Sequence, residues 1–228
     1  YSEGFRAPSL SELYLLHSSS YGLTLQGNPS LSPEKVRAVE VRYEHPHCDS
    51  WYWSISVFHN RYENMIDFVY NLPVLALNRD GVTGTGGEFE FRWKPVDSFN
   101  ITGSYAYLDM LDRNGDPLLY RSTHRGGLHF IYKIKIISVQ LGAQSWSKQI
   151  YDDFLSHDYQ QINGIVVFPI RELPERIIYE LILSREIDTY TGLFRVSNLF
   201  DTEYELIQDF PMPGRTWQFT LTKTIIDI

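Results

Sequence analysis

The sequence predicts an all-β chain of antiparallel, up-and-down strands, and two observations carry that reading. Apolar and polar residues alternate with period two from about Pro33 to the end, which gives each strand one apolar and one polar face. The connections between those strands alternate strictly between short and long. A third observation concerns what the apolar face meets: large aromatic residues gather beside the short connections.

Taken in order, Val39, Val41 and Tyr43 alternate with Glu40, Arg42 and Glu44. Trp51, Trp53, Ile55 and Val57 alternate with Tyr52, Ser54 and Ser56, and Phe89, Phe91 and Trp93 with Glu88, Glu90 and Arg92. Ile101, Tyr105 and Tyr107 alternate with Asn100, Thr102, Ser104 and Ala106, while Leu128, Phe130 and Tyr132 oppose Gly127 and His129. Ile137, Val139, Leu141 and Ala143 alternate with Ser138, Gln140, Gly142 and Gln144. Ile177, Tyr179, Leu181 and Leu183 carry an apolar face, although Ile178 and Ile182 blur the opposite one. Phe194 and Val196 then alternate with Arg195 and Ser197, and Trp217, Phe219 and Leu221 with Thr216, Gln218, Thr220 and Thr222. No stretch shows a capped 3.6-residue period; residues 13–16 suit one helical turn, and Ser18-Ser19-Ser20 reads as loop.

The short connections are 45–50, 94–98, 133–136 and 188–190; the long ones, rich in Asn, Asp, Pro and Tyr, are 10–32, 70–80, 109–120, 151–175 and 204–213. In an up-and-down sheet this alternation puts all long loops at one rim and all tight turns at the other. Two architectures fit. In a soluble sandwich the apolar face is the core; in a transmembrane barrel it meets lipid and the polar face lines the lumen. Strand lengths near the roughly 9 to 11 residues that cross a membrane obliquely favour the barrel. Tyr43, Trp51, Trp53, Trp93, Phe99 and Tyr132 beside the short turns suit an interfacial girdle, and the segregated loops also favour it.

Composition narrows the function. With 28 acidic and 20 basic side chains the net charge is -8, and no concentrated Lys/Arg face is visible, so nucleic acid is not an expected partner. The single cysteine, Cys48, excludes an internal disulfide framework and any multi-Cys metal site. No run reaches the roughly 18 apolar residues of a spanning helix. The chain opens at Tyr1 inside an ordered-looking motif with no signal peptide, as expected of a processed chain or a fragment.

Several motifs together resemble the C-terminal barrel portion of a TonB-dependent outer-membrane receptor. At the start stand Gly4-Phe5-Arg6-Ala7-Pro8, Glu12-Leu13-Tyr14, Gly27-Asn28-Pro29-Ser30-Leu31 and Pro33-Glu34. The middle contributes Asn64-Met65-Ile66-Asp67 and residues 81–90; the end contributes Val196-Ser197-Asn198-Leu199-Phe200-Asp201, Tyr204-Glu205 and Pro213-Gly214-Arg215-Thr216. The resemblance covers essentially the whole chain. It implies a barrel of about 22 strands, of which about ten lie here, with residues 1–228 as its closing part and the plug domain outside them. It further implies TonB-driven uptake of a scarce metal chelate or corrinoid, siderophore-iron or cobalamin, in the outer membrane of a Gram-negative bacterium. The expected partners are the TonB complex, acting through the missing N-terminal part, the receptor's own plug, outer-membrane lipid and the ligand. No enzymatic role and no resident cofactor are implied. Family members commonly end on an aromatic residue, whereas this chain runs on through Ile225-Ile226-Asp227-Ile228. If the last strand, 214–224, descends to the periplasm, the long loops are extracellular.

Candidate ligand contacts therefore lie in the long loops: Tyr14, His17, Tyr21, Arg79, Tyr120, Arg121, Tyr151, Tyr159 and Asp209, a mixture of rings and charges suited to a bulky amphipathic guest. His17 lies where haem-importing members carry an axial ligand, so a haem receptor is the alternative within the family. Glu40, Arg42, Glu88, Glu90, Arg92 and Arg195 point to the polar face, as a lumen wall holding the plug would. Other groupings carry less. His45, His47 and Cys48 fall in a short turn where no substrate should dwell. Asp152, Asp153, His157 and Ser147 have no nucleophile elbow around them, and Gly84-Thr85-Gly86-Gly87 precedes a strand rather than the helix of a phosphate loop. Outside the family, the rivals are a soluble β-sandwich binding module and an outer-membrane barrel enzyme.

Overall fold

The computed structural model describes residues 1–18, 24–45, 50–69, 74–153, 156, 158–162 and 165–224. In chain order the elements are β1 (Ser2–Arg6), helix α1 (Leu10–Tyr14), β2 (Leu16–Ser18), β3 (Thr24–Gln26), β4 (Glu34–Glu44), β5 (Trp51–Glu63) and β6 (Met65–Val69). There follow β7 (Val74–Arg79), β8 (Val82–Val96), β9 (Phe99–Leu111), β10 (His124–Ile134), β11 (Ile137–Trp146), β12 (Gln149–Asp152) and β13 (Gln160–Ile162). The last are β14 (Ile165–Val167), β15 (Ile170–Leu173), β16 (Arg176–Ile187), β17 (Tyr190–Ser197), β18 (Glu205–Ile207), β19 (Phe210–Pro211) and β20 (Thr216–Lys223).

Ten of these strands form one antiparallel sheet in the order β1-β4-β5-β8-β9-β10-β11-β16-β17-β20. Each neighbour in the sheet is the next long strand along the chain, which is the up-and-down order expected. Short strands fill the long connections, where β2, β3, β7 and β6 make a small sheet and β12–β15, β13–β14 and β18–β19 make hairpins. Three readings are corrected here. Leu16–Ser18 is a strand paired with β3, whereas Leu16 was expected at the end of a helical turn and Ser18 in the loop after it. The helix is Leu10–Tyr14 rather than 13–16, because Ser9 and Glu12 form a reciprocal capping box at its start. The connection expected at 109–120 begins later, since β9 runs on to Leu111.

Register sorts the side chains onto two faces. Directly opposed residues share a face, so Val41, Val57 and Gly87 stand together, as do Phe130, Leu141, Leu181 and Val196. This apolar face is bare: Val41 is 66% exposed and Phe219 73%. Among the described residues most of it is left uncovered, Val196 near the long-loop end being buried, and an aqueous sandwich would not tolerate so much bare apolar surface. Near the short turns its rings form a chain of contacts, Tyr43 to Trp53 at 5.4 Å, Trp93 to Phe99 at 6.4 Å and Phe99 to Tyr132 at 6.3 Å. Phe91 lies flat across Gly103, where an added Cβ would come 2.1 Å from the ring, so the glycine makes room for the aromatic.

The opposite face is polar, and its register shows the tilt of the strands. Cross-strand partners lead from Tyr52 through Arg92, Thr102, His129, Gly142, Glu180 and Ser197 to Thr216. Tyr52 stands beside a short turn and Thr216 beside a long loop, so one row climbs the sheet as it crosses it. Stagger of this kind is the geometry that closes a barrel. Buried apolar clusters sit at the long-loop end: Leu31, Ile66 and Ala76 with Leu13 and Phe68, and Met65, Val82 and Leu118 with Tyr62 and Met110.

Candidate functional site

At the long-loop rim, the first connection is tied down by its own motif residues. The Arg6 guanidinium reaches both Glu12 carboxylate oxygens at 2.9 Å and Glu34 at 3.3 Å. Glu34 also accepts the Ile66 amide at 2.9 Å. The Asn28 amide donates to the Ala76 carbonyl at 3.1 Å, and Asn78 binds the Ser32 amide and carbonyl and the Asn64 carbonyl. Burial alone would raise the Glu12 carboxyl, but hydrogen bonds from the Ser9 amide, the Arg6 guanidinium and the Ser9 hydroxyl outweigh it and hold it below its ordinary value. Near the other end of the chain, buried Asn198 accepts the Thr202 amide and donates to the Thr202 and Pro213 carbonyls; Asp201 accepts the Arg215 amide at 2.6 Å. Asn198 and Asp201 both adopt positive φ, which short polar side chains tolerate. These motifs therefore fasten loops to the sheet.

A second group joins the later loops. Tyr120 and Tyr151 stack at 6.1 Å, and the Gln149 amide donates to the Tyr120 carbonyl at 3.2 Å. Asp153, 6% exposed, receives Arg171 at 2.6 Å and the Gln208 amide at 2.8 Å, which ties the β12–β15 and β18–β19 hairpins together. Burial first, then the Asp153 charge, pushes the Tyr151 hydroxyl up. Burial also raises the Asp152 carboxyl, against the pull of Arg79. Arg79 itself pairs with Asp67 at 3.3 Å and Asp112 at 3.7 Å, bridging two connections.

Of the expected ligand contacts, Arg79, Tyr120, Tyr151 and Asp209 thus belong to this interlocked rim, Asp209 acting on Tyr151 through its charge. Tyr14 projects from α1, Arg121 is exposed, and Tyr159 packs edge-on to Phe168 at 6.3 Å, apart from the rest. His17 is placed by its backbone in β2; its side chain and all of Tyr21 lie outside the described residues, as do His47, Cys48, His157 and 225–228.

The polar face carries the other expected set. Glu40, Arg42, Glu88, Glu90, Arg92 and Arg195 all share it. Arg42 pairs with Glu44 at 2.7 Å and approaches Glu90 at 3.6 Å, Arg92 lies over the Tyr52 ring, and Arg195 pairs with Glu180 at 3.3 Å. A row missed from the sequence stands nearer the rim on this face: Arg125, Trp146 and Arg176 are direct cross-strand partners on β10, β11 and β16. Extending the alternation would have found it, since it puts Trp146 where that pattern calls for a polar residue.

His45 stacks on Trp53 at 5.7 Å, Asp153 is engaged by Arg171 and Gln208, and the Ser147 hydroxyl accepts the His124 amide. The glycines at 84, 86 and 87 lie inside β8. Among the described residues no group of His, Cys, Asp and Glu could hold a metal ion, and no helix is long and apolar enough to cross a membrane.

Comparison with known proteins identifies the frame. Residues 1–168 match the family model described as TonB dependent receptor-like, beta-barrel. The chain belongs to the TonB-dependent receptor family. Solved structures share the fold: the copper transporter OprC (TM-score 0.72, 18% identity, 96% of this chain and 35% of that one) and the siderophore receptor PirA from Acinetobacter baumannii (0.72, 17%, 96% and 37%). The ferripyoverdine receptor of the outer membrane of Pseudomonas aeruginosa, bound to ferripyoverdine, matches at TM-score 0.67 and 17% identity over 84% of this chain. The chain spans 27% of that receptor. TonB-dependent receptors are outer-membrane barrels and not enzymes, so the bare apolar face is the lipid face and the polar face lines the lumen.

Proposed function

We propose that the chain is the closing part of a receptor barrel that imports a scarce metal chelate, with siderophore-bound iron as the first candidate. The observation that carries this reading is the two-faced sheet: a lipid-ready exterior, a charged interior wall and a rim of interlocked loops. Energy would come through TonB, reached by an N-terminal part outside residues 1–228, and a plug domain would occupy the lumen. Glu40, Arg42, Glu88, Glu90, Arg92 and Arg195 are the wall against which that plug would rest, through ion pairs and hydrogen bonds exposed enough to be broken and remade. Tyr120 and Asp209 would meet the guest from above, with Tyr151 and Arg79 holding the loops beneath them on a rigid sheet. The siderophore and copper neighbours support a metal-bearing cargo; cobalamin, and haem through His17, remain arms of the test.

That test is uptake by the complete receptor in cells with and without TonB. Ferric siderophores, a copper complex, haem and cobalamin are offered at limiting concentration. TonB-dependent accumulation of a metal chelate is the expected result. Accumulation of cobalamin alone would replace the cargo, and no TonB-dependent uptake of any of them would remove the transport reading.

A further inference from the structure

We propose that Arg125, Trp146 and Arg176 form a seat for an anionic, planar group of the cargo, a carboxylate or catecholate, so that the receptor selects negatively charged chelates over neutral ones. This rests on the reading of the chain as a chelate receptor. The three residues stand abreast on the lumen face, and neighbouring strands about 4.8 Å apart put the two arginines on either side of the indole.

Arg176 is the unusual member. It is 6% exposed, its guanidinium stacks on Trp146 at 5.1 Å, and one nitrogen donates to the Gln149 amide oxygen at 3.2 Å. Its Nε and Nη1 have no hydrogen-bond partner. No carboxylate pairs with Arg176 or Arg125 among the described residues, and the nearest charge to Arg176 along their row is that of Arg125, two strands away. A buried cation without a counter-charge is unfavourable, and cation–π contact with one ring offsets only part of that. An anion seated beside them restores the balance.

The row is open on its Arg125 side, with Arg176 behind the Trp146 ring and outside the groove lining. A groove of about 340 Å³ runs along the lumen face past Arg125, Trp146, Gln144 and His129. Its far end carries Glu88 and Glu90, and Glu90 has Arg42 for company at 3.6 Å. The groove is therefore acidic on its β8 side and basic on its β10 side, Glu88 and Arg125 lying in one cross-strand row with Ala106 between them. Guanidinium forks and an indole face both favour a flat, delocalised anion over a compact one. The Gln149 side chain that holds Arg176 also holds the backbone of Tyr120, so the seat is fixed to the stacked tyrosines of the rim.

The experiment uses the complete receptor in detergent, titrated with a trianionic ferric tris-catecholate and a neutral ferric tris-hydroxamate while tryptophan emission is followed. Wild type is expected to prefer the trianion, with affinity falling as salt rises. Arg125→Gln should weaken the trianion by about tenfold and leave the neutral chelate unchanged. Arg176→Gln should do the same, whereas Arg176→Lys, which keeps the charge, should recover most of the loss. Because Arg125 is exposed, its variant tests the seat even if Arg176→Gln folds poorly. Preference for the neutral chelate, or equal losses for both, would overturn the proposal. If neither chelate binds and no import is seen, the receptor reading is what fails. Free 2,3-dihydroxybenzoate then tests the seat: quenching that Arg125→Gln abolishes supports it, and quenching that survives overturns it.

Discussion

Two stretches of the rim are built in opposite ways. Around Arg6, charges and polar groups are matched: the guanidinium has two carboxylates, Glu34 has a backbone amide, and Asn78 spends both ends of its side chain on neighbouring loops. Around Arg176, a buried guanidinium keeps two nitrogens without partners, and the next charge along its row is a second arginine across Trp146. A matched cluster has little left to offer a guest and serves to hold a loop. An unmatched one is less stable as it stands and gains from whatever supplies the missing charge. The family motifs at the start of the chain fall in the first region, and those around Asn198 and Asp201 are matched in the same way, so they report the fold; cargo chemistry has to be sought in the second.

Asn78→Ala offers the largest break of that contrast. It strands the Ser32 amide and the Ser32 and Asn64 carbonyls. About 2 kcal/mol of stability should be lost, read as a lower urea midpoint for unfolding of the complete receptor, with preference between charged and neutral chelates intact. A change in that preference would mean that the two regions are coupled. Arg6→Gln should be milder, about 1 kcal/mol, because Arg6 is half exposed; the same midpoint checks it.

Acid should separate the two stretches by sign. Glu12 sits below its ordinary value, so its contribution is present above the unfolded value and is lost as pH falls through the folded one. Asp152 is raised by burial, so its contribution is present at low pH and is lost as pH rises through its folded value. Between about pH 5 and pH 3, hydrogen exchange corrected for intrinsic rates should therefore speed up around α1 and slow down around β12. Movement of both in the same direction would contradict this. The smallest effect belongs to Asp97→Asn at a short turn, whose exposed Lys94–Asp97 pair should be lost with no measurable change in unfolding midpoint or uptake.

How much of this was legible in the sequence follows from the range of the forces. The sheet was readable because period two is local and uninterrupted, and the rims were readable because loop length is local too. The capping box from Ser9 to Glu12 was equally local and could have placed the helix. β2 could not be found that way, since a short strand exists only through its partner β3, which itself pairs in parallel with β7. Alternation alone put Glu40, Arg42, Glu88, Glu90, Arg92 and Arg195 on one polar face, where the register also has them. Arg176 was not found that way, because its burial depends on the Trp146 ring one strand away and on Gln149 in the loop above.

The account stands on the assignment of the two faces, and the most direct measurement is a nitroxide scan of residues 216–223 in the complete receptor reconstituted in lipid. Accessibility to oxygen should peak at Trp217, Phe219 and Leu221, and accessibility to a water-soluble nickel chelate at Thr216, Gln218, Thr220 and Thr222. Loss of the alternation, or the opposite phase, would contradict the barrel and with it every placement on the lumen wall.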